Sequence, residues 1–319
     1  HLQGYPPLRE YVAHKLLRDR SIEVSPDDII LCDGSAEPIY MIAEALLDPG
    51  DVVFTEDYVY PGTLVTLRRF RSDVWGIACD EDGMLPDALE SAIQKVELEG
   101  KRAKLLYTIP TFHNPQGFTM PLGRRQAIVN VTQKHGIPIL EDDCYVDLSY
   151  EGEVPPALWA LDDSNRVMYV SSFSKTIAPG MRLGYVAAPP EVVDRLRALK
   201  SGNGANQFAA MAVHRFALRY LDDHIQKVNI EQRTRRDAML AALGENFGGR
   251  ATWSRPKGGL FIWLKMSEDV DLVKLREVAI ESDVGYQPGS MFAADQISGK
   301  NYARLCFGYN TPKEIHEGI

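Results

Sequence analysis

Seven short, largely apolar runs recur along this 319-residue chain, at Ile29–Cys32, Val52–Thr55, Val74–Ile77, Leu105–Thr108, Pro138–Glu141, Val167–Ser171 and Gly184–Ala187. Helical patterns lie between most of them, over Pro7–Asp19, Pro38–Leu47, Thr63–Arg69, Pro86–Leu98, Leu122–His135 and Glu191–Lys200. Strands this short carry apolar residues at consecutive positions when both faces of their sheet are covered, and alternation with helices supplies the cover. The pattern predicts an α/β fold: a large domain whose mostly parallel sheet is flanked by helices. Further on, a helical stretch from Gln207 to Leu243, a strand at Gly259–Leu264, a helix at Val270–Ser282 and a strand at Ala303–Phe307 read as α+β. A large domain is therefore expected over residues 1–221 and a smaller one over 222–319.

Composition narrows the function. No window approaches the roughly 18 consecutive apolar residues of a membrane helix. Thirty-five Lys and Arg against 44 Asp and Glu give a net charge of −9, which repels a polyanion unless basic residues cluster. The densest basic runs, Arg68, Arg69 and Arg71, and Arg233, Arg235 and Arg236, read as solvated helix faces, so neither nucleic acid nor membrane is an expected partner. Cysteines at 32, 79, 144 and 306 lack metal-type spacing and suggest reduced thiols in a cytoplasmic setting. The chain starts at His1 without methionine and stops at Ile319 in a charged stretch with no obvious helix completion, as part of a longer polypeptide would.

The chemistry concentrates where strands end. After the run at 167–171 comes Ser172-Phe173-Ser174-Lys175, then Pro179-Gly180-Met181-Arg182. Serine hydroxyls and a guanidinium suit phosphate oxygens, and a lysine amine beside that anion can act as a nucleophile toward an aldehyde. An exposed loop lysine with hydroxyl neighbours is the plain alternative. The run at 138–141 ends in Glu141-Asp142-Asp143-Cys144-Tyr145, where a buried carboxylate needs a cationic partner, and where Asp142 or Asp143 could instead cap a helix. Asn114-Pro115-Gln116-Gly117 sets an amide in a rigid turn, with His113 before it. Gly34-Ser35-Ala36-Glu37 precedes a helix whose N–H groups favour phosphate, and Tyr60 supplies an aromatic face.

Together, and in this order, these segments resemble the fold-type I pyridoxal-phosphate (PLP) aminotransferases of class I/II. The likeness is strongest to the branch holding the 2-aminoadipate and kynurenine aminotransferases and the aminotransferase-like half of MocR-type regulators. It runs from Gly4-Tyr5-Pro6-Pro7-Leu8-Arg9 through Asn301-Tyr302-Ala303-Arg304-Leu305. The resemblance implies a large PLP-binding domain and a small substrate-closing one. It implies that Lys175 holds pyridoxal 5'-phosphate as a Schiff base and shuttles the substrate α-proton. Asp142 would pair with the pyridinium nitrogen, Tyr145 and Asn114 would hydrogen-bond the ring oxygen, and Tyr60 would stack on the ring. Ser35, the backbone of Ala36, Ser172, Ser174 and Arg182 would hold the phosphate. Arg304, assisted by Asn114, would grip the substrate α-carboxylate; the alternative for Arg304 is an ion pair with an acid at a domain contact.

The implied reaction moves an amino group from an L-amino acid to a 2-oxo acid by a ping-pong mechanism in a homodimer. The family's N-terminal arm and a tyrosine lent by the neighbouring subunit would lie ahead of His1. Ala36 departs from relatives that often carry glutamine there. Tyr58, Phe112 and Phe292 would lie near the mouth of the site, lining either a large apolar substrate or the dimer contact. Two other functions are open: the PLP-binding effector domain of a MocR-type transcriptional regulator, and a PLP-dependent lyase, decarboxylase or racemase.

Overall fold

A computed structural model describes residues 2–200 and 204–319 of the chain. The strands of the first half are β1 (Ile29–Cys32), β2 (Val52–Glu56), β3 (Asp73–Ile77), a small ribbon of β4 (Cys79–Asp80) and β5 (Gly83–Met84), β6 (Ala103–Thr108), β7 (Ile139–Asp142), β8 (Val167–Ser172) and β9 (Gly184–Ala187). Seven of them form one sheet in the order β1-β9-β8-β7-β6-β2-β3. Neighbours from β8 through β3 are parallel, and β9 alone runs antiparallel to both β8 and β1.

Both faces of this sheet are buried, which explains the unbroken apolar runs. On β1, Ile30 and Cys32 join a cluster with Ile39, Ile42, Leu64, Leu67, Val193 and Leu196, whereas Ile29 and Leu31 join Leu8, Val12 and Leu16 on the other side. The helices that supply this cover are α1 (Pro6–Arg20), α2 (Ala36–Leu46), α3 (Pro61–Arg69), α4 (Pro86–Leu98), α5 (Leu122–His135), the short α6 (Leu158–Leu161), α7 (Pro190–Leu199) and α8 (Gln207–Phe247). Each fully buried aliphatic side chain contributes about 1.5–3 kcal/mol relative to exposure, so register in the sheet is strongly specified.

Helix α8 is 41 residues long and serves two cores. Its Ala210, Val213, Ala217 and Leu221 pack with α1, while Met239 and Leu243 pack with Phe261, Ile262 and Leu264 of a second sheet. That sheet, ordered β10-β11-β13-β12, consists of β10 (Ala251–Trp253), β11 (Phe261–Met266), β12 (Gln287–Pro288) and β13 (Tyr302–Cys306), all antiparallel. Helix α9 (Leu272–Glu281) and helix α10 (Pro312–Gly318) complete this part. Among the described residues no helix is long and apolar enough to cross a membrane.

Two expectations are corrected here. The charged end of the chain does hold a helix, α10. Glu314 N–H donates to Thr311 Oγ1 at 3.3 Å, and Glu314 Oε2 accepts from Thr311 N–H at 2.8 Å, a capping box that Thr311-Pro312-Lys313-Glu314 spells out. Nor is Arg236 a solvated residue. It is buried, with Nη2 2.6 Å from Glu151 and 2.6 Å from Asp237, and Nη1 donating to the Pro256 carbonyl at 2.9 Å.

Candidate active site

The reversed strand β9 makes the site. A parallel crossover needs a helix, but an antiparallel neighbour can be reached by a short connection, and the segment between β8 and β9 stays at one edge of the sheet. There Ser172 sits opposite Gly184, and Gly184 sits opposite Cys32, so the ends of β8 and β1 converge on the start of β9. A Cβ on Gly184 would stand 2.6 Å from the Gly34 carbonyl carbon, and one on Gly34, at φ +74°, would stand 2.6 Å from Arg182 Nη2. Only glycine at both places lets Arg182 close over the N-terminus of α2.

A cleft of about 200 Å³ opens at this edge, lined by Ser35, Ala36, Tyr60, Asn114, Asp142, Tyr145, Ser172, Ser174, Lys175 and Arg182. Three groups make an anion corner. Ser35 precedes α2 without spending its hydroxyl on a cap, Ser172 Oγ and Ser174 Oγ are 2.8 Å apart, and Arg182 Nη2 donates to the Asp33 carbonyl at 3.2 Å. Opposite lies a hydrogen-bonded chain: Arg304 Nη1 donates to Asn114 Oδ1 at 2.9 Å, and Asn114 Nδ2 donates to the Tyr145 hydroxyl at 3.2 Å. The Arg304 guanidinium lies over Phe261 at 4.2 Å and Phe292 at 4.9 Å, and burial there lowers its pKa from the usual arginine range. Among the described residues it has no ion pair with an acid, so its charge is free for a ligand.

The three consecutive acids after β7 do three different things. Glu141 accepts from the Leu158 and Trp159 N–H groups at 2.9 and 3.1 Å and so closes the start of α6. Asp143 is fully buried, with Oδ2 2.9 Å from Arg20 Nη2 and accepting from the Tyr169 hydroxyl at 3.0 Å. Neither Asp142 nor Asp143 is thus the helix cap; Glu141 takes that part, because α6 starts beside the middle of the strand. Asp142 faces the cleft. Its Oδ2 accepts from Tyr107, its Oδ1 is buried with no partner among the described residues, and burial raises its pKa, partly offset by Cys144 and Tyr107.

Other expectations shift. Lys175 lines the cleft 5.8 Å from the Tyr145 ring, yet it is solvent-exposed in the single chain rather than desolvated, because the turn after β8 stands proud of the sheet edge. His113 is fully buried, stacked on Phe118 at 4.3 Å, with Nε2 3.6 Å from Glu56, and points away from the cleft. Phe112 and Phe292 are buried inside the chain, Phe112 under Gly258 and Gly259 and Phe292 against the Arg304 guanidinium. Tyr58 packs at a tilt against Trp263 and Tyr302. Tyr107, Thr63 and Ile109 belong to the site or its wall without any motif having marked them, and Cys144, inside the marked segment after β7, joins that wall. Tyr107 lies in β6, Thr63 in α3 and Ile109 just past β6, where their types read as core.

The comparisons with known proteins agree with this geometry. The sequence matches the family described as aminotransferase class I and II over residues 1–319. It is 35% identical to aromatic-amino-acid aminotransferase 1 of Thermococcus litoralis over 99% of this chain and 76% of that protein. It is 31% identical to the uncharacterized HTH-type transcriptional regulator YdfD of Bacillus subtilis over 99% of this chain but only 64% of the regulator. Among solved structures it resembles the kynurenine aminotransferase of Pyrococcus horikoshii with a TM-score of 0.95 and 34% identity, covering 99% of this chain and 79% of that one. With a family match spanning every residue and a fold that superposes throughout, this chain belongs to the class I and II aminotransferases.

Proposed function

We propose that this chain is the catalytic body of a PLP-dependent aminotransferase that moves the amino group of an L-amino acid to a 2-oxo acid in two half-reactions. One observation carries the reading: a lysine and a buried, half-satisfied carboxylate face the same cleft from adjacent strand ends, with an anion corner beside them. The residues fit pyridoxal phosphate. The buried Asp142 Oδ1 lacks a partner, which a protonated ring nitrogen would supply, and a phosphate matches Ser35, the Ala36 N–H, Ser172, Ser174 and Arg182. When bound, the cofactor supplies an electron sink for the charge that develops at the substrate α-carbon.

The chain's own groups do the rest. Asp142 would hold the proton on the ring nitrogen, Tyr145 and Asn114 would hydrogen-bond the ring oxygen, and Tyr60 would lie against the ring. Arg304 and Asn114 orient the α-carboxylate, and the Lys175 amine takes the proton from the α-carbon and returns it. Division into domains at about residue 222, a homodimer whose second subunit covers the exposed Lys175, and a cytoplasmic setting belong to the same reading. The support for the division is that α8 serves one core before Leu221 and another from Met239.

A single-turnover experiment tests it. Holoenzyme mixed with an amino acid and no acceptor should release close to one equivalent of 2-oxo acid per site, and 2-oxoglutarate should then restore turnover. Release of carbon dioxide, or of many equivalents without an acceptor, would show a decarboxylase or lyase instead. The effector-domain reading rests on the likeness to YdfD. A gene encoding a helix-turn-helix domain ahead of residue 1, with no turnover over a panel of donors, would establish it.

Arg304→Ala should raise the KM for amino acid donors and lower kcat/KM roughly 100-fold, since a bidentate charge-assisted contact is lost. Cofactor absorbance should stay unchanged. Steady-state kinetics checks this, and an unaltered KM would remove Arg304 from substrate binding.

A further inference from the structure

Asp142 is held by a residue outside every sequence motif of the site. Tyr107 lies on β6, next to β7, and is completely buried; its hydroxyl donates to Asp142 Oδ2 at 2.7 Å. The torsion that turns an aspartate carboxylate is broad and roughly two-fold, so a buried aspartate with no fixed partner could present either oxygen, or neither, to the cleft. With Oδ2 occupied, Oδ1 is the oxygen left without a partner.

We propose that Tyr107 is a positioning residue: its hydroxyl fixes the Asp142 carboxylate so that Oδ1 faces the cleft as an ionised acceptor for the cofactor's ring nitrogen. The inference rests on the cofactor assignment above and deepens it. The choice of a phenol has a physical reason. An arginine or lysine at this place would hold the carboxylate anionic on its own and compete with the ring nitrogen for its charge. A neutral donor steadies the anion and leaves most of that charge for the ligand. Burial and the neighbouring Asp142 push the Tyr107 hydroxyl well above the usual tyrosine pKa, so it remains a donor throughout the working pH range. Cys144 beside it also favours the carboxylate form of Asp142, but as a weak thiol donor, so the phenol is the strong donor to Oδ2.

The test compares two ligands on one protein. Cofactor is removed from the holoenzyme, and the affinity for PLP and for its 1-deaza analogue, in which CH replaces the ring nitrogen, is measured for wild type and Tyr107→Phe. If Tyr107 acts through Asp142, the variant should bind PLP about 10-fold or more weakly, because a hydrogen bond to a charged group is lost. The analogue should bind as in wild type or tighter, since its CH has no use for the anion. kcat should fall while the KM for the donor amino acid holds. Replacing Tyr107 with p-aminophenylalanine, which keeps the ring and a weaker donor, should restore part of the PLP preference, and it reads the same comparison should the phenylalanine variant not fold. Equal losses for both ligands would make Tyr107 a packing residue and overturn the proposal while leaving the cofactor assignment standing. Wild type that binds no PLP would overturn both.

Discussion

Lys175→Ala is expected to lower kcat by at least roughly 10³-fold, because the variant loses at once the amine that anchors the cofactor and the base that moves the α-proton. The visible absorbance of bound cofactor should disappear with it, while the thermal unfolding midpoint should move little. The structure gives the reason for that split. Lys175 is exposed and forms no ion pair among the described residues, so its side chain adds little to stability. Its backbone is fixed by other groups: Phe173 N–H donates to the Leu183 carbonyl at 3.0 Å, Ser174 N–H to Ser172 Oγ at 3.0 Å, and Ile177 N–H to the Phe173 carbonyl at 2.8 Å. His224 Nε2 also lies 2.8 Å from the Thr176 carbonyl oxygen. Absorbance spectra and single-turnover kinetics check the expectation, and a variant that keeps full activity would end the assignment of Lys175.

Asp143→Ala should act in the opposite sense, on stability first. Asp143 and Arg20 are both buried and 2.9 Å apart. Burial works against the charge of Arg20, but Asp143 together with Tyr169 and Glu141 outweighs it and raises the arginine's pKa. Removing one partner leaves an uncompensated buried charge, a loss of about 3–5 kcal/mol, a large part of the ~5–15 kcal/mol that holds a typical protein folded. Arg20 would then keep its bond to the Pro155 carbonyl at 2.8 Å and its contact with Tyr169, with Glu141 as the remaining acid influence. The backbone bond from the residue 143 N–H to the Val170 carbonyl, 2.9 Å long, survives the substitution, so cofactor affinity should change less than stability. Denaturant unfolding of the holoenzyme measures this. A change below about 1 kcal/mol would mean that water or rearrangement reaches Arg20 after all.

These two residues also show what kind of information a motif holds. Lys175 could be read from its neighbours, since small hydroxyl residues, a lysine and a following Pro-Gly-x-Arg describe a local turn whose chemistry does not depend on the rest of the chain. Asp142 and Asp143 could not be told apart that way. Adjacent residues of a strand end point in opposite directions, and which of them meets a cleft and which meets Arg20 depends on where α1 lies, some 120 residues earlier in the sequence. Tyr107 escaped notice for the same cause: inside Leu105-Leu106-Tyr107-Thr108 it reads as one more apolar core residue, and only the pairing of β6 with β7 sets its hydroxyl against Asp142.

By itself, the sequence determined the α/β alternation and the strands of the main sheet, because hydrophobic period and turn chemistry are local properties, and with the family resemblance it marked ten of the residues that line the cleft. Only the tertiary structure decided that β9 reverses, that Arg304 meets Asn114 rather than an acid, that Lys175 stands open to solvent, and that one oxygen of Asp142 is left unpaired. Those facts follow from strand order and from the approach of segments as far apart as Asn114 and Arg304, and no pattern along a chain encodes the distance between residues that only packing brings together.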